Sequence, residues 1–264
     1  MYTRLPQTLH NSKSAHRKEA ECAETTLKPL LNRPLGERYS ALLAQIRSAA
    51  QRYQWPAPLL LAASKTRSAS EIRELFEAGC RDFGESYLQE ALPKMEALQD
   101  LPITWHFIGP LQSNKTRGIA SHFDWVHSVD SLRLAERLSE QRPPTLAPLN
   151  VCLQINLDNE PTKSGVAPEF APPLANAIAA LPHLRLRGLM CVPAPRELFS
   201  EQRQSAAALR ALLSHIQAHC PRCHPALDTL SIGMSDDLEA AIAEGSTLVR
   251  VGSALFGPRP PKTP

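Results

Sequence analysis

The sequence predicts an α/β fold, a (β/α)8 barrel of the TIM type with one extra helix in front of it. Eight strand signals, most of them followed by a helix signal, are spread over roughly 200 residues, which suits such a barrel. No G-x-G-x-x-G turn follows any of these strands, so a doubly wound dinucleotide-binding sheet is the second choice. We therefore expect one barrel domain over residues 36–260 and a loosely ordered extension over residues 1–35.

The first elements are marked by periodicity and by capping residues. Apolar residues recur at helical spacing over about 37–53, which predicts the extra helix. The run Leu59-Leu60-Leu61-Ala62-Ala63 is continuously apolar, as is typical of a strand buried on both faces. A capping box is formed by Ser68-Ala69-Ser70-Glu71, and Gly79 is the glycine that ends the helix opened there.

After this helix the same alternation continues along the chain. Asp130 closes a strand and is expected to cap the next helix, and the proline-rich segment 142–148 separates the two halves. Further strands are expected at about 81–83, 103–108, 124–129, 149–157, 184–190, 227–232 and 248–251. The intervening helices are expected to end near residues 98, 141, 181, 218 and 245, with another opened by Ser113-Asn114-Lys115.

The bulk composition is that of a globular protein whose partners do not include nucleic acid or a membrane. The formal net charge is +3, and no Lys/Arg block with interleaved aromatic residues occurs. No apolar stretch approaches the ~20 residues of a membrane span, and no secretory signal is recognisable. Six cysteines without such a signal indicate reduced thiols in a cytoplasm. We expect a cytoplasmic monomer.

The site of a barrel lies at the C-terminal ends of its strands, and Lys65 stands at the first of them. Desolvation at the end of a buried strand disfavours the ammonium form, and a neutral amine can attack a carbonyl carbon. The alternative for this residue alone is an ordinary strand-end lysine whose head reaches solvent.

The last strand carries an arginine between apolar neighbours. Arg250 must point its guanidinium into a layer that is otherwise buried, so it needs a partner. That partner is either a carboxylate such as Glu85 or an acceptor atom of a ligand. The following turn, Gly252-Ser253, offers backbone amides and a hydroxyl at the place where barrels of this type bind phosphate.

The turn after the preceding strand is less suited to phosphate. Asp236 and Asp237 occupy the start of the next helix there, and their charges would repel an anion. Ser231 or Ser235 can still contribute a hydroxyl.

A closed barrel brings the first and last strands together, and with them an amine, an arginine and a phosphate-sized turn. A ligand with an aldehyde, a basic ring nitrogen and a phosphate would use all three groups, and pyridoxal phosphate (PLP) is such a ligand. An aldolase that holds a sugar phosphate would also use a lysine and such a turn, so the residues alone leave both possibilities open.

Several strings resemble the pyridoxal-phosphate homeostasis protein family over about residues 36–257. The string Trp105-His106-Phe107-Ile108-Gly109-Pro110-Leu111-Gln112-Ser113-Asn114-Lys115 is long enough to be diagnostic. The other strings are Ala63-Ser64-Lys65-Thr66, Phe83-Gly84-Glu85, Lys163-Ser164-Gly165, Arg187-Gly188-Leu189-Met190, Gly233-Met234-Ser235-Asp236-Asp237 and Val249-Arg250-Val251-Gly252-Ser253.

This resemblance implies the barrel of the alanine-racemase N-terminal domain and a set of cofactor contacts. Lys65 would form the Schiff base with PLP, Arg250 would face the pyridine nitrogen, and the turns after the last two strands would hold the phosphate. Where the family usually has asparagine, this chain has Ser86, whose shorter side chain presents no amide, so we expect a less firmly held ring. The implied cofactor-binding residues are Lys65, Ser86, His106, Ser231, Gly233, Met234, Arg250, Gly252 and Ser253. His106 has an alternative reading as a hydrogen-bonded core histidine.

The resemblance also implies a binding and homeostasis protein without established catalytic turnover, which holds PLP and delivers it to apo-enzymes. An arginine at the ring nitrogen stays protonated and leaves that nitrogen unprotonated, so the ring is a weak electron sink. We also expect no second domain after Gly257 of the kind that racemases add. The rival reading is an amino-acid racemase or related PLP enzyme with Lys65 as its only base.

Two further patterns are not absorbed by this reading. Cys220-Pro221-Arg222-Cys223-His224 contains the letters of a haem-attachment or redox motif, but a surface loop is the expected role, and we expect no metal site. Lys163 can reach an anionic ligand, and its role is left open.

Overall fold

The computed structural model describes residues 32–158, 160, 163–223 and 226–258. The predicted extension over 1–35 therefore lies outside the described residues except for its last four positions. Helix α1, Leu35–Arg52, matches the extra helix predicted at 37–53 and packs through Leu42 and Ile46, which are buried. It lies against the helices that follow the first and seventh strands.

Eight parallel strands pair in chain order, and the last pairs with the first, so the sheet closes into a barrel. This confirms the predicted architecture. The strands are β1 (Leu59–Ala63), β2 (Asp82–Glu85), β3 (Thr104–Phe107), β4 (Trp125–Val129), β5 (Leu149–Gln154), β6 (Leu184–Met190), β7 (Thr229–Ser231) and β8 (Leu248–Val251).

The helices alternate with the strands as the sequence predicted. They are α2 (Ala69–Glu77), α3 (Leu88–Ala97), α4 (Thr116–His122), α5 (Leu132–Gln141), α6 (Ala171–Ile178), α7 (Phe199–His219), α8 (Leu238–Ala243) and α9 (Ser253–Phe256). A 3₁₀ turn over Pro168–Phe170 precedes α6. None of the described helices combines the length and apolar character that crossing a membrane requires.

Two predicted helix boundaries have different outcomes. The capping box of α2 is present, with the Glu71 backbone N–H donating to Ser68 and the Glu71 side chain accepting from the Ser68 backbone. The predicted cap of α5 by Asp130 is wrong, because α5 begins after Ser131 and its first turn receives no side-chain cap. The Asp130 carboxylate accepts a backbone hydrogen bond from Gly165 instead, and burial raises the pKa of this carboxyl.

Side-chain alternation places several polar side chains in the barrel interior. Val249 and Val251 belong to the apolar layer under the helices, so Arg250 between them points into the barrel. On β3 and β7 the neighbours of His106 and Ser231 likewise belong to the apolar layer. The buried polar side chains that point inward are His106, His127, Ser231 and Arg250.

The five cysteines among the described residues divide into two groups. Cys220 and Cys223 are buried and are joined by a disulfide in the turn after α7, so the expectation of reduced thiols is wrong for this pair. Pro221 and Arg222 between them are exposed, as expected of a surface loop. Cys80, Cys152 and Cys191 are free and buried, as expected for reduced thiols, and burial raises the pKa of each.

Candidate functional site

Lys65 lies two residues beyond the end of β1, at the C-terminal mouth of the barrel. It is half-buried, as expected for an amine on a rigid element at the boundary with water. The next residue, Thr66, has a φ of 67°, which is a left-handed conformation that turns the chain sharply. The strand therefore ends here, and Lys65 stays at its end.

A buried ion pair supports the backbone just before Lys65. The Glu85 carboxylate at the end of β2 accepts from Ser64 Oγ at 2.7 Å and from Lys94 Nζ at 2.8 Å. Lys94 Nζ also donates to the Ser64 carbonyl at 3.1 Å. Burial raises the pKa of Glu85, and Lys94 opposes this rise. Glu85 Oε2 accepts no hydrogen bond from the described residues.

This pair decides the alternative for Arg250. Glu85 pairs with Lys94 and not with Arg250, so the first alternative for Arg250, an ion pair with Glu85, is not the one that the structure has. Arg250 Nη1 donates to the Ser231 carbonyl and to Ser231 Oγ, both at 2.7 Å, and Nη2 donates to the Cys191 carbonyl at 2.9 Å. Burial lowers the pKa of Arg250. The cation is therefore held mainly by carbonyl and hydroxyl oxygens.

The guanidinium of Arg250 has more N–H donors than the described residues use. A guanidinium carries five N–H groups, and three of those of Arg250 are used by Ser231 and Cys191. The Nε–H and one Nη2–H donate to no acceptor in the part of the chain that the structure describes. These two N–H groups are available to an acceptor atom of a bound ligand.

Two serine hydroxyls meet where the turns after β7 and β8 come together. Ser235 Oγ lies 3.1 Å from Ser253 Oγ, and it accepts the backbone N–H of Ala254 at 3.3 Å. Gly252 precedes them, and a Cβ there would lie 3.4 Å from the Ala63 carbonyl oxygen. This turn therefore packs directly against the end of β1.

Asp237 shapes the turn after β7. Its carboxylate accepts the Met234 backbone N–H at 2.6 Å, and burial raises its pKa, with Arg250 opposing this rise. Gly233 has a φ of 108°, and a Cβ there would lie 2.7 Å from the Ala241 Cβ. Glycine is therefore required at this position for both conformation and space. The Met234 N–H is already used inside the protein.

His106 lies inside the barrel and not at its mouth. It is wholly buried, its Nε2 lies 3.1 Å from Asp82 Oδ1, and its Nδ1 lies 2.9 Å from His127 Nε2. Its ring stacks on Trp125 with the ring centroids 5.4 Å apart. His127 Nδ1 in turn lies 2.9 Å from Ser231 Oγ. This arrangement is that of the hydrogen-bonded core histidine, the alternative left open from the sequence.

Ser86 is buried beside Gly109. A Cβ at Gly109 would lie 2.1 Å from the Ser86 carbonyl oxygen, so the ends of β2 and β3 approach each other as closely as glycine allows. Gly109 also lines a cavity of ≈ 210 Å³ at the mouth, between the ends of β3, β5 and β6. Lys65, Arg250 and Ser253 do not line it. Its walls are formed by Ile108, Gly109, Pro110, Gln154, Ile155, Asn156, Lys163, Ser164, Met190 and Val192.

Lys163 on the rim of this cavity already has anionic partners. Its Nζ lies 3.0 Å from Glu160 Oε1 and 3.9 Å from Asp158 Oδ2. Asp158 also pairs with Arg196 at 2.7 Å. Much of the charge of Lys163, Glu160 and Asp158 in the loop between β5 and α6 is thus neutralised by ion pairs.

Comparison with known proteins decides the family. The chain matches the family model described as alanine racemase, N-terminal domain, over residues 38–260. A pyridoxal phosphate homeostasis protein of Pseudomonas aeruginosa is 57% identical over 227 residues, which are 85% of this chain and 96% of that protein. The Escherichia coli protein of the same name is 52% identical over 203 residues, 76% of this chain and 85% of the other. The chain belongs to the pyridoxal phosphate homeostasis protein family.

Solved structures of similar proteins have the same barrel fold. PipY of Synechococcus elongatus, solved with PLP bound, is 38% identical and matches with a TM-score of 0.75 over 85% of this chain and 100% of PipY. Alanine racemase of Corynebacterium glutamicum is 17% identical, with a TM-score of 0.57 over 82% of this chain and 61% of the racemase, and shares the fold. The barrel implied by the family resemblance is confirmed.

The structure brings together only part of the site implied by the homeostasis protein family. Lys65, Arg250, Gly252 and Ser253 lie at or just inside the paired ends of β1 and β8. His106 and Ser231 lie deeper and join Arg250 through hydrogen bonds, and Ser86 lies beside Gly109. Four residues with roles in this arrangement were not in the implied set: Ser235, His127, Lys94 and Asp82. The sequence could have indicated Ser235, because it stands in a turn directly after a predicted strand. No sequence pattern marked Lys94 or Asp82 as part of the site.

Proposed function

We propose that this chain binds PLP at the mouth of the barrel and serves PLP homeostasis as a holder of the cofactor. The proposal takes from its relatives the ligand that their names and the PipY structure state, and it rests on how well this chain's own residues suit that ligand. Lys65 is the proposed point of covalent attachment. The binding domain is proposed to be residues 36–260.

One observation carries the proposal, the register of β1 against β8. Leu61 pairs with Arg250 and Ala62 with Val251, so the first and last strands end side by side. Lys65 follows the end of one strand, and Gly252 and Ser253 follow the end of the other. An amine, a buried guanidinium and a turn with a serine hydroxyl are thus contributed by two neighbouring strands, as an aldehyde, a ring nitrogen and a phosphate require.

Arg250 suits the ring nitrogen because of how it is held. Its three engaged N–H groups fix the guanidinium on Ser231 and Cys191, and its two remaining N–H groups have no acceptor among the described residues. A pyridine nitrogen is an acceptor without a proton of its own when an arginine faces it. Arg250 would therefore donate to that nitrogen and keep it unprotonated.

The turns after β7 and β8 suit a phosphate. Ser235 and Ser253 present two hydroxyls 3.1 Å apart, and Gly252 leaves the backbone of the turn uncovered. The carboxylate of Asp237 is directed at the Met234 N–H at 2.6 Å. The backbone thus engages the Asp237 carboxyl, and burial raises its pKa, so one of the two carboxyl groups at this helix start repels a phosphate less than an exposed aspartate would.

When bound, PLP supplies an aldehyde that combines with amines and a ring that withdraws electrons from them. The residues of this chain suit the combination of the aldehyde with an amine, and they support electron withdrawal by the ring poorly. Arg250 holds the ring nitrogen unprotonated, and Lys65 is the one amine assigned to the site. Such a site favours retention and transfer of the cofactor over turnover of a substrate.

The remaining features of the proposal concern setting and partners. We infer that the protein acts as a monomer in the cytoplasm and that its partners are PLP and apo-enzymes that need it.

The test of binding is optical and chemical. Purified full-length protein mixed with PLP should turn yellow, and borohydride should bleach it and fix the cofactor to one peptide, the one that contains Lys65. Lys65→Ala should stay colourless, whereas the matched variant Lys115→Ala should behave like the unaltered protein. Fixation on a different lysine, or a yellow Lys65→Ala protein bleached to the same extent, would overturn the assignment of Lys65.

A second test separates a holder from the racemase alternative. Loaded protein is mixed with single amino acids in deuterated water, and exchange of the α-proton is followed by NMR. A holder should show exchange no faster than free PLP at the same concentration. Exchange that is much faster, and that is lost in Lys65→Ala, would establish an enzyme instead.

A further inference from the structure

A continuous line of hydrogen-bonded side chains crosses the interior of the barrel, from the N-terminal ends of the strands to Arg250. Asp82 at the start of β2 contacts His106 at 3.1 Å, and His106 contacts His127 at 2.9 Å. His127 contacts Ser231 Oγ at 2.9 Å, and Ser231 Oγ accepts from Arg250 at 2.7 Å. Both histidines and the serine are wholly buried, and Asp82 keeps 18% of its side chain exposed.

The direction of every bond in this line follows from its ends. Arg250 can only donate, so Ser231 Oγ accepts from it. The single hydroxyl hydrogen of Ser231 has one acceptor within reach in the described structure, His127 Nδ1. Neutral His127 then carries its proton on Nε2 and donates to His106 Nδ1. By the same rule His106 carries its proton on Nε2 and donates to Asp82 Oδ1.

The opposite direction leaves a group unsatisfied. If His127 donated through Nδ1, Ser231 Oγ would accept from both His127 and Arg250, and its own hydrogen would have no acceptor among the described residues. A buried donor without a partner costs about 1–3 kcal/mol. Burial and the nearby charges also lower the pKa of His127, which keeps it neutral. All the dipoles therefore point from a buried cation to a carboxylate at the edge of solvent.

We propose that Asp82, His106 and His127 are positioning residues, which act through Ser231 to hold the guanidinium of Arg250 in one orientation. Asp82 fixes the tautomer of His106, each histidine fixes the next group, and Ser231 receives one Nη1–H of Arg250. The two unused N–H groups of Arg250 are thereby kept directed at the place of the ring nitrogen. This last step rests on the proposed function, whereas the order of the protons does not.

The order of the protons can be measured without cofactor. In full-length protein labelled with ¹⁵N-histidine, the NMR spectrum at pH 7.5 should show two buried histidines that are protonated on Nε2 and unprotonated on Nδ1. Asp82→Ala should shift the ¹⁵N signals of both, although only His106 contacts residue 82. Asp82→Asn keeps an acceptor oxygen and should restore the original tautomers.

The consequence for the cofactor is measured on the same variants. With PLP bound, Asp82→Ala should release PLP about fivefold faster, the loss expected for one hydrogen bond, and should alter the visible absorption of the bound ring. Asp82→Asn should largely restore the original release rate and the original visible absorption. Because Asp82 lies at the foot of the barrel, a merely structural loss there would lower the melting temperature without changing the absorption band.

The outcomes separate this inference from the proposed function. A histidine protonated on Nδ1 at position 106 or 127 in the unaltered protein overturns the inference even if the protein turns yellow with PLP. Unchanged ¹⁵N signals and an unchanged release rate in Asp82→Ala overturn it as well. A protein that never takes up PLP overturns the proposed function, while the tautomers of the cofactor-free protein are still read directly.

Discussion

Lys94 and Glu85 form a buried ion pair with Nζ and Oε1 2.8 Å apart, on the backbone that leads into Lys65. Lys94 also donates to the carbonyl of Ser64, so one ammonium group ties helix α3 to the ends of both β1 and β2. The proposed attachment point for the cofactor is therefore held by a charged residue on a neighbouring helix. The pair leaves Glu85 unavailable to Arg250.

Removing the cation of this pair should destabilise the fold. Lys94→Met leaves Glu85 wholly buried without its partner, which costs about 3 kcal/mol in the free energy of unfolding. The pKa of Glu85, already raised by burial, should rise further, so this variant should regain stability as the pH falls. Urea unfolding at pH 7.5 and pH 5.5 measures both effects.

The matched control for this prediction removes both charges. Lys94→Met combined with Glu85→Gln should recover most of the lost free energy, because no uncompensated charge then lies in the interior. A Lys94→Met protein as stable as the unaltered one would show that the pair contributes nothing to the barrel.

Acid should weaken the protein through His127. Burial first, and then the charges of His106 and Arg250, hold the pKa of His127 well below 6.5, whereas the unfolded chain binds the proton near 6.5. The unfolded state therefore binds more protons below pH 6.5, and stability that is complete above this pH is lost as the pH falls. The expected loss between pH 7.5 and pH 5.5 is about 1.4 kcal/mol.

A variant isolates this contribution from those of the carboxyl groups. Burial raises the pKa values of Glu85 and Asp237, and these groups change stability in the opposite sense on acidification. They are present in His127→Gln as well. The difference between the two proteins in urea midpoint should therefore narrow as the pH falls from 7.5 to 5.5, and a constant difference would contradict the assignment to His127.

The close approach of β2 and β3 predicts a severe effect at Gly109. Gly109→Ala would place its Cβ 2.1 Å from the Ser86 carbonyl oxygen, and neither backbone can move without opening the barrel end. We expect a loss of more than about 3 kcal/mol in the free energy of unfolding. Gly36→Ala, whose Cβ would meet a methyl group at 3.3 Å, is the control and should change stability little. Equal melting temperatures for the two variants would refute the prediction.

The alternation of strands and helices was predictable because each element depends on residues that are close in the sequence. The apolar run at Leu59–Ala63, the capping box at Ser68 and the helical period of α1 all appear where they were expected. The cap at Asp130 failed because a distant loop residue, Gly165, offered its carboxylate a hydrogen bond. Local patterns cannot report such a competitor.

The partners of buried charges were the part that the sequence could not supply. Arg250 was rightly expected inside the barrel, but its pairing with Ser231 and Cys191 depends on the order and stagger of three neighbouring strands. The contact between His106 and His127 likewise joins two strands 21 residues apart. Until the strands are placed in register, a carboxylate partner and a ligand acceptor remain equally open for Arg250, and the sequence cannot choose between them.

The phosphate turn gives the sharpest prediction, because a second ligand serves as an internal control. Ser253→Ala removes one of the two hydroxyls that lie 3.1 Å apart, so PLP should bind about tenfold more weakly, the effect of one hydrogen bond to a charged group. Pyridoxal lacks the phosphate and should bind both proteins equally. Absorbance titrations of both ligands give the ratio of affinities, with Ser121→Ala as the matched surface control. If Ser253→Ala weakened PLP and pyridoxal alike, Ser253 would support the fold of the turn and not the phosphate.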